Sequence, residues 1–520
     1  MMKKSIKKLL AALLAVAMLC AMAVPAFAVG TATEDIDTHT FEAYQIFKGN
    51  VSDSKLSNVT WGSNIGTDFV GFLTALSNDA TIGSKFNSSM TIDDVLKVIS
   101  NWTDSSPEAR AFARAVLGYL NRDSKNPPAS VATSKSGTAE IDLPEAGYYL
   151  IVDTTTFGGI DNYYHTMNAS LLKVSDKATV KIKPKLEKPT FEKEVWENND
   201  ITNHAGFGSS ADHAIGEPFQ FRLTAKLPES SENIYDYYDN YALSFVDLMS
   251  AGITFDQIDE VKINNTTIDK NRYEFELHNT GKDNYFYLTI HDAKAYGVNL
   301  NKGATVTVLY TAHLNENADV NIGSGSTTNI NKAHLQYSND PNVSDSVDST
   351  PYEEVYVFTY QLNNTKYHDT IEAGNELEGA GFRLYSDKDC KEEIKLKQNT
   401  DGTYSRDFSA NAKGVEMFSN DKGQFNVKGL GAGTYYLKET DTPAGYNTCD
   451  VTPVTIKVNH TGNNVELAEG SSLEYAILNK AGTTLPSTGG MGTTLFYVVG
   501  GGLMVAAIVL LVTKKRMENK

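Results

Sequence analysis

The sequence predicts a mainly β protein, in which tandem β-sandwich domains follow a more mixed α/β N-terminal domain. Three observations carry that expectation. From about residue 184 to residue 480 the apolar residues fall in short alternating runs broken by Asn, Gly and Asp, the pattern of antiparallel strands joined by turns. Helix-compatible periodicity appears nearer the start, in IDDVLKVIS and PEARAFARAVLGYLN. Tyr, Thr, Asn and Gly are plentiful, and long amphipathic helices are scarce.

Both ends read as targeting devices. Residues 1–28 have a basic start, an apolar middle and the small-residue ending Ala26-Phe27-Ala28, so a signal peptide cleaved after Ala28 is expected and Cys20 leaves with it. Leu495 to Val512 carries no charge and is followed at once by Lys514, Lys515 and Arg516, as a membrane span with a cytoplasmic basic tail would be. Between these ends lie roughly 450 residues, enough for about three domains. A formal net charge of -18 excludes nucleic acid as a partner, because little here could neutralise a phosphate backbone.

The elements follow in order. The N-terminal domain, 29–183, opens with THTFEAYQIFKGN, passes through the two helical segments and returns to strand in AGYYLIVD. KIKPKLEKPTFEKEV, with two prolines and alternating charge, reads as an extended connector and a domain boundary. A sandwich over 184–351 is carried by EPFQFRLTAKL, VKINNTTI, YEFELHN, NYFYLTI, ATVTVLYTAHL and KAHLQYS. A second, over 352–480, repeats the pattern in VYVFTYQL, AGFRLYSD, QFNVKGL, GTYYLKE and PVTIKVN. GLGAG reads as a hairpin turn and not a phosphate loop, since no helix signal follows it. Residues 481–520 hold the C-terminal signal.

Only Cys390 and Cys449 remain after export, and one disulfide between them inside the last domain is open. Two cysteines cannot staple three domains. A mechanically tough protein would need another cross-link, and residue parity offers one. The period of two puts Lys193 on the face of Phe191 and Val195, Asp247 with Phe245 and Met249, and Asn331 with Ala333, Leu335 and Tyr337. The last sandwich repeats the set: Lys366 with Phe358, Tyr360 and Leu362, Glu439 with Tyr435 and Leu437, Asn479 with Tyr475 and Ile477. Any one inward polar residue is ordinarily a strand end or a side chain reaching water. Two complete trios are harder to explain that way. Burial lowers a lysine's pKa and raises a carboxylic acid's, so a neutral amine could attack an Asn carbonyl polarised by a protonated Asp247 or Glu439, expelling ammonia and leaving a Lys-Asn isopeptide bond.

LPSTG, Leu485-Pro486-Ser487-Thr488-Gly489, followed by the apolar span and the basic tail, resembles the tripartite sorting signal of Gram-positive surface proteins. That resemblance implies cutting between Thr488 and Gly489 by a sortase, which holds Thr488 as a thioester and passes it to an amine. AYQIFKG, PTFEKEV, FVDLMSAGITF, NKAHLQYSNDP, YYLKETDTPAGYN and YAILNKAGTTLPSTGG together resemble the backbone pilin of sortase-assembled Gram-positive pili. The resemblance implies immunoglobulin-like Cna-type domains, isopeptides catalysed by Asp in one domain type and Glu in the other, and a pilin-motif lysine at the end of the first domain. KIKPKL aligns with that motif through Lys185; Lys183 stands where the family has Tyr, which leaves Lys183, Lys181 and Lys188 as alternatives.

The implied partners are further copies of the chain in a head-to-tail polymer, pilin-specific and housekeeping sortases, peptidoglycan, minor pilins and a host or bacterial surface ligand. A single wall-anchored adhesin or minor pilin is the competing reading. No cofactor or metal is expected, and the histidines read as scattered surface residues. A wall hydrolase is disfavoured, because the sequence has no HExxH, GxSxG or catalytic carboxylate pair.

Overall fold

The computed structural model describes residues 40–52, 55–66, 68–103, 106–120, 127–133, 139–154, 171–175, 179–182, 188–198, 205–230, 233–280, 282–321, 323–339, 347–409, 411–483 and 492–518. The expected signal peptide, Lys183, Lys185 and the sorting motif Leu485 to Gly489 lie outside the described residues. The chain divides into two compact units, one of residues 1–361 with 428–433 and 456–471, the other of 362–427 with 434–455 and 472–520.

The first unit begins with the mixed α/β architecture. Thr40–Ser52 is central in a sheet with Lys55–Trp61, Ser130–Thr133 and Gly147–Asp153, and Leu171–Ser175 extends that sheet beyond Gly147–Asp153. Three helices cover it: Phe69–Ser77, Ile92–Ile99 and Pro107–Leu120. The last two are the segments the periodicity predicts. Ile92–Ile99 starts on a capping box in which Thr91 and Asp94 satisfy each other's backbone N–H groups. Phe69–Ser77 was not expected; its start is fixed by the Asp68 side chain, which accepts from Gly71 N–H at 3.2 Å. The helices bury Phe72, Leu76, Val95, Phe112 and Val116 against Tyr44, Phe47 and Leu150 of the sheet.

Beyond the proline-rich segment the unit is a sandwich. One sheet runs Thr266–Thr267, Ile253–Ile263, Lys302–Leu314, Pro218–Glu229, Thr190–Glu197, Gly206–Gly208. The other runs Ser210–Asp212, Glu353–Phe358, Ile330–Ser338, Leu243–Met249, Tyr285–Ile290, Glu274–His278. Their inner faces share one core, in which Phe191 meets Phe245 at 6.2 Å and Phe286 meets Tyr310 at 5.2 Å between ring centroids. The expected connector is thus a strand from Thr190 onward, because Phe191, Lys193 and Val195 face this core.

In the second unit Gly381–Tyr385 pairs with Gly433–Asp441, and Tyr360–His368 pairs with Glu474–Asn479. The latter pair is parallel, where an antiparallel sandwich was expected. VYVFTYQL is two strands, broken at the fully buried Thr359. GLGAG is no hairpin: it links Val427–Leu430 to Gly433–Asp441, which belong to different sheets. At the C-terminus, Gly492–Met517 is one helix, and Phe496–Met517 within it is long and apolar enough to cross a membrane.

The helical layer depends on an aromatic cluster in which Phe112 meets Phe72, Phe86 and Trp102 at 6.3, 6.4 and 5.9 Å. Phe112→Ala should therefore destabilise the N-terminal region by about 3–5 kcal/mol. Limited proteolysis should show cleavage within 69–120 appearing before the sandwich is cut.

Candidate functional site

The strand alternation that carries each core also carries the polar trios inward. In the first unit Lys193, Asp247 and Asn331 are all buried, the last two completely. Lys193 comes from Thr190–Glu197 in one sheet; Asp247 and Asn331 come from adjacent strands of the other, where Asn331 stands opposite Met249. The Lys193 amine meets Asp247 Oδ2 directly. It also donates to Tyr310 Oη at 3.1 Å. That hydroxyl donates to Asp247 Oδ2 at 2.8 Å and accepts from Asn331 Nδ2 at 2.6 Å. Tyr310 is therefore the hub of the site, a residue sequence reasoning missed. Its own parity, with Val306, Val308 and Ala312, marks it as inward but not as polar in role.

Burial outweighs the mutual attraction of the pair. It pushes the Lys193 amine below the ordinary lysine range and the Asp247 carboxyl above the ordinary carboxylate range. Both shifts favour a neutral amine beside a protonated acid. The rings of Phe221 and Tyr310, 5.0 and 5.4 Å from the amine, keep the surroundings apolar.

The second unit repeats the chemistry with different strands. Lys366 and Asn479 lie on neighbouring parallel strands, and Glu439 reaches them from Gly433–Asp441 of the facing sheet. Lys366 Nζ is 2.5 Å from Asn479 Oδ1 and 3.6 Å from Glu439 Oε1. Asn479 Nδ2 donates to Glu439 Oε1 at 2.7 Å, and Glu439 Oε2 accepts from Cys449 N–H at 2.7 Å. All three side chains are buried, with the Phe382 ring 5.2 Å from the amine. A bond in the first trio would join two sheets; in the second it would join two strands of one sheet.

Two expectations need correction. Cys390 and Cys449 are free thiols. Cys449 Sγ faces Lys366 Nζ at 3.5 Å, whereas Cys390 sits in a turn at φ +54 with its sulfur on the Lys388 carbonyl, so the two are committed to different neighbours. The histidines are not all superficial either: His213, His334 and His460 are 1%, 5% and 6% exposed. Of the alternative linking lysines, Lys181 pairs with Glu140 at 3.3 Å, and burial lowers the pKa of Lys188.

Fold and site together define a protein of β domains with buried Lys-carboxyl-Asn trios, whose C-terminal unit ends in an exposed apolar helix with basic residues in its last turn. Residues 363–470 match the SpaA family, described as a prealbumin-like fold domain, and residues 477–519 match the LPXTG cell wall anchor motif. The chain is a cell-wall-anchored surface protein with a transient membrane anchor. No curated protein matches it. Solved structures similar to it include the T6 backbone pilin of serotype M6 Streptococcus pyogenes, at 16% identity and TM-score 0.47 over 86% of this chain and 97% of that one. The full-length major pilin SpaD of Corynebacterium diphtheriae is similar at 17% identity and TM-score 0.44, over 87% and 95%.

Thiol labelling of the denatured, unreduced exported protein should report two reactive cysteines. A count of zero would mean that the thiols are bridged after all.

Proposed function

We propose that the chain is the backbone subunit of a covalently polymerised, wall-anchored pilus, cross-linked within itself by two Lys-Asn isopeptide bonds. The observation that carries the proposal is the convergence of a buried amine, a buried carboxyl and a buried carboxamide at two separate places. Such a set is costly as a mere polar contact, since each charge must be desolvated. It is productive as a reaction site.

In the first trio the neutral Lys193 amine attacks Cγ of Asn331. Oδ1 of Asn331 and Oδ1 of Asp247 are buried with no hydrogen-bond partner among the described residues, and a proton on Asp247 would supply a donor for the Asn carbonyl. Tyr310 holds the amine and the carboxamide nitrogen on one oxygen, which aligns nucleophile and leaving group. The C–N bond to Nδ2 breaks, the lysine nitrogen gives up one proton, and ammonia leaves. In the second trio Glu439 accepts from the Asn479 nitrogen, which sets its carboxyl beside the leaving group. No external reagent is consumed, so the chain acts once on itself and is not an enzyme in the usual sense.

Between subunits, a pilin-specific sortase would cut after Thr488 and pass the acyl group to Lys185 of the next copy, and a housekeeping sortase would join the base to peptidoglycan. The anchor match over 477–519 supports recognition of the LPXTG segment and attachment to the wall. Minor pilins and a surface ligand remain its further partners.

A blot of boiled wall extract should show a ladder that collapses to monomer in Lys185→Arg. A ladder that survives there and vanishes in Lys183→Arg would move the linkage, and a single band in wild type would favour the lone adhesin. Internally, Asn479→Ala should lower the unfolding transition of the second unit only, and Asn331→Ala that of the first. Each reopens a loop of more than a hundred residues, worth about 4–5 kcal/mol by analogy with a disulfide. Calorimetry of the two variants checks this. Tyr310→Phe should slow cross-linking at the first trio and leave the second at its normal rate.

A further inference from the structure

In the first trio one oxygen orients amine and acid together: Tyr310 Oη takes a hydrogen bond from Lys193 and gives one to Asp247. Beside Lys366 the corresponding place is taken by a sulfur. Cys449 Sγ is 3.5 Å from Lys366 Nζ, near enough to accept weakly from an amine N–H. The backbone N–H of the same residue donates to Glu439 Oε2 at 2.7 Å. Burial, with the Glu439 charge and a hydrogen bond to Glu439, pushes the Cys449 thiol above its ordinary range, against the pull of Lys366. The group therefore stays a thiol, with a proton to give as well as lone pairs to receive.

We propose that Cys449 is the fourth residue of the second cross-linking site, holding the Lys366 amine by its sulfur and the Glu439 carboxyl by its backbone. The inference rests on the cross-link proposed above and adds the group that aims it. A neutral amine has two N–H bonds and one lone pair, and it attacks Cγ of Asn479 only when the lone pair faces that carbon. One acceptor for the amine is Asn479 Oδ1 itself, at 2.5 Å. The sulfur is the other, on an atom that takes no part in the bond being made. It accepts too weakly to favour the charged ammonium, as a second carboxylate would. The backbone N–H, by occupying Glu439 Oε2, turns Oε1 toward Asn479 Nδ2, 2.7 Å away.

The sulfur is brought to the amine by a loop tied to the strand that carries Asn479. Cys449 lies between Gly433–Asp441 and Thr452–Ile456, and the residues before it dock on the chain just beyond Glu474–Asn479. Asn447 N–H donates to the Lys480 carbonyl at 2.9 Å, and Gly482 N–H donates to the Gly445 carbonyl at 2.8 Å. The hydroxyls of Thr442 and Thr448 meet at 2.8 Å and close the loop on itself. Loop and last strand thus arrive together, so the amine is aimed only once Asn479 is in place.

The exported chain made by cell-free synthesis starts unreacted, and its intact mass against time follows each ammonia lost. Branched peptides assign each loss to its site. Cys449→Ala should slow formation of the Lys366–Asn479 bond about tenfold, the weight of one hydrogen bond, and leave the Lys193–Asn331 bond at its normal rate. Cys449→Ser, whose hydroxyl accepts and donates at the same place, should restore the rate. Cys449→Val fills the space with neither function and should stay slow. A valine variant as fast as the serine one would reduce Cys449 to packing and overturn the proposal, as would wild-type speed in Cys449→Ala. A wild-type chain that joins Lys193 to Asn331 but never Lys366 to Asn479 would instead remove the second cross-link itself, and this role with it.

Discussion

A lysine amine placed inside a β-sandwich core is the constraint on which the rest of this structure depends. Desolvating it costs several kcal/mol, and the core can hold it only if neutralisation or a close partner offsets that cost. Both cores answer in the same way, with a carboxyl and a carboxamide on the strands that face the amine. Asp247 and Asn331 surround Lys193, and Glu439 and Asn479 surround Lys366, each set enclosed by aromatic rings. An isopeptide bond removes the problem altogether, because the amine becomes an amide and the ionisable group is lost. On the proposed function, the arrangement that looks costly in a static core would be the starting state of a reaction that ends the cost.

The two sites solve one chemical problem with different topologies. Lys193 and its Asn lie in opposite sheets, so a bond there clasps the sandwich across its core. Lys366 and its Asn lie on neighbouring parallel strands, so a bond there locks the first strand of that core to its last. Either bond, once formed, would carry tension that hydrogen bonds alone would otherwise have to share, and no disulfide is present among the described residues to do the same. For a wall-anchored protein at the cell surface, a covalent path through each core is a reasonable substitute.

Much of this was legible in the sequence because a strand has a period of two, and a polar residue at an inward position stands out. Lys193, Lys366, Glu439 and Asn479 follow that rule closely. Asp247 and Asn331 sit on strands buried on both faces, where parity alone says less. Tyr310 was illegible for a different reason: an inward tyrosine is ordinary core, and only the three-way meeting at its hydroxyl gives it a role. The buried histidines were missed because His460 meets Glu197 and Asp212 only after folding brings distant strands together. The parallel pairing of Tyr360–His368 with Glu474–Asn479 likewise depends on tertiary routing, which local patterning does not encode.

The central claim is that the two trios react. The intact mass of the wild-type exported chain, measured under denaturing conditions, tests it most directly. The account predicts a mass two ammonia molecules below that of the sequence, with proteolysis yielding branched peptides that join Lys193 to Asn331 and Lys366 to Asn479. A mass equal to the sequence mass, with all four residues recovered in linear peptides, would contradict it.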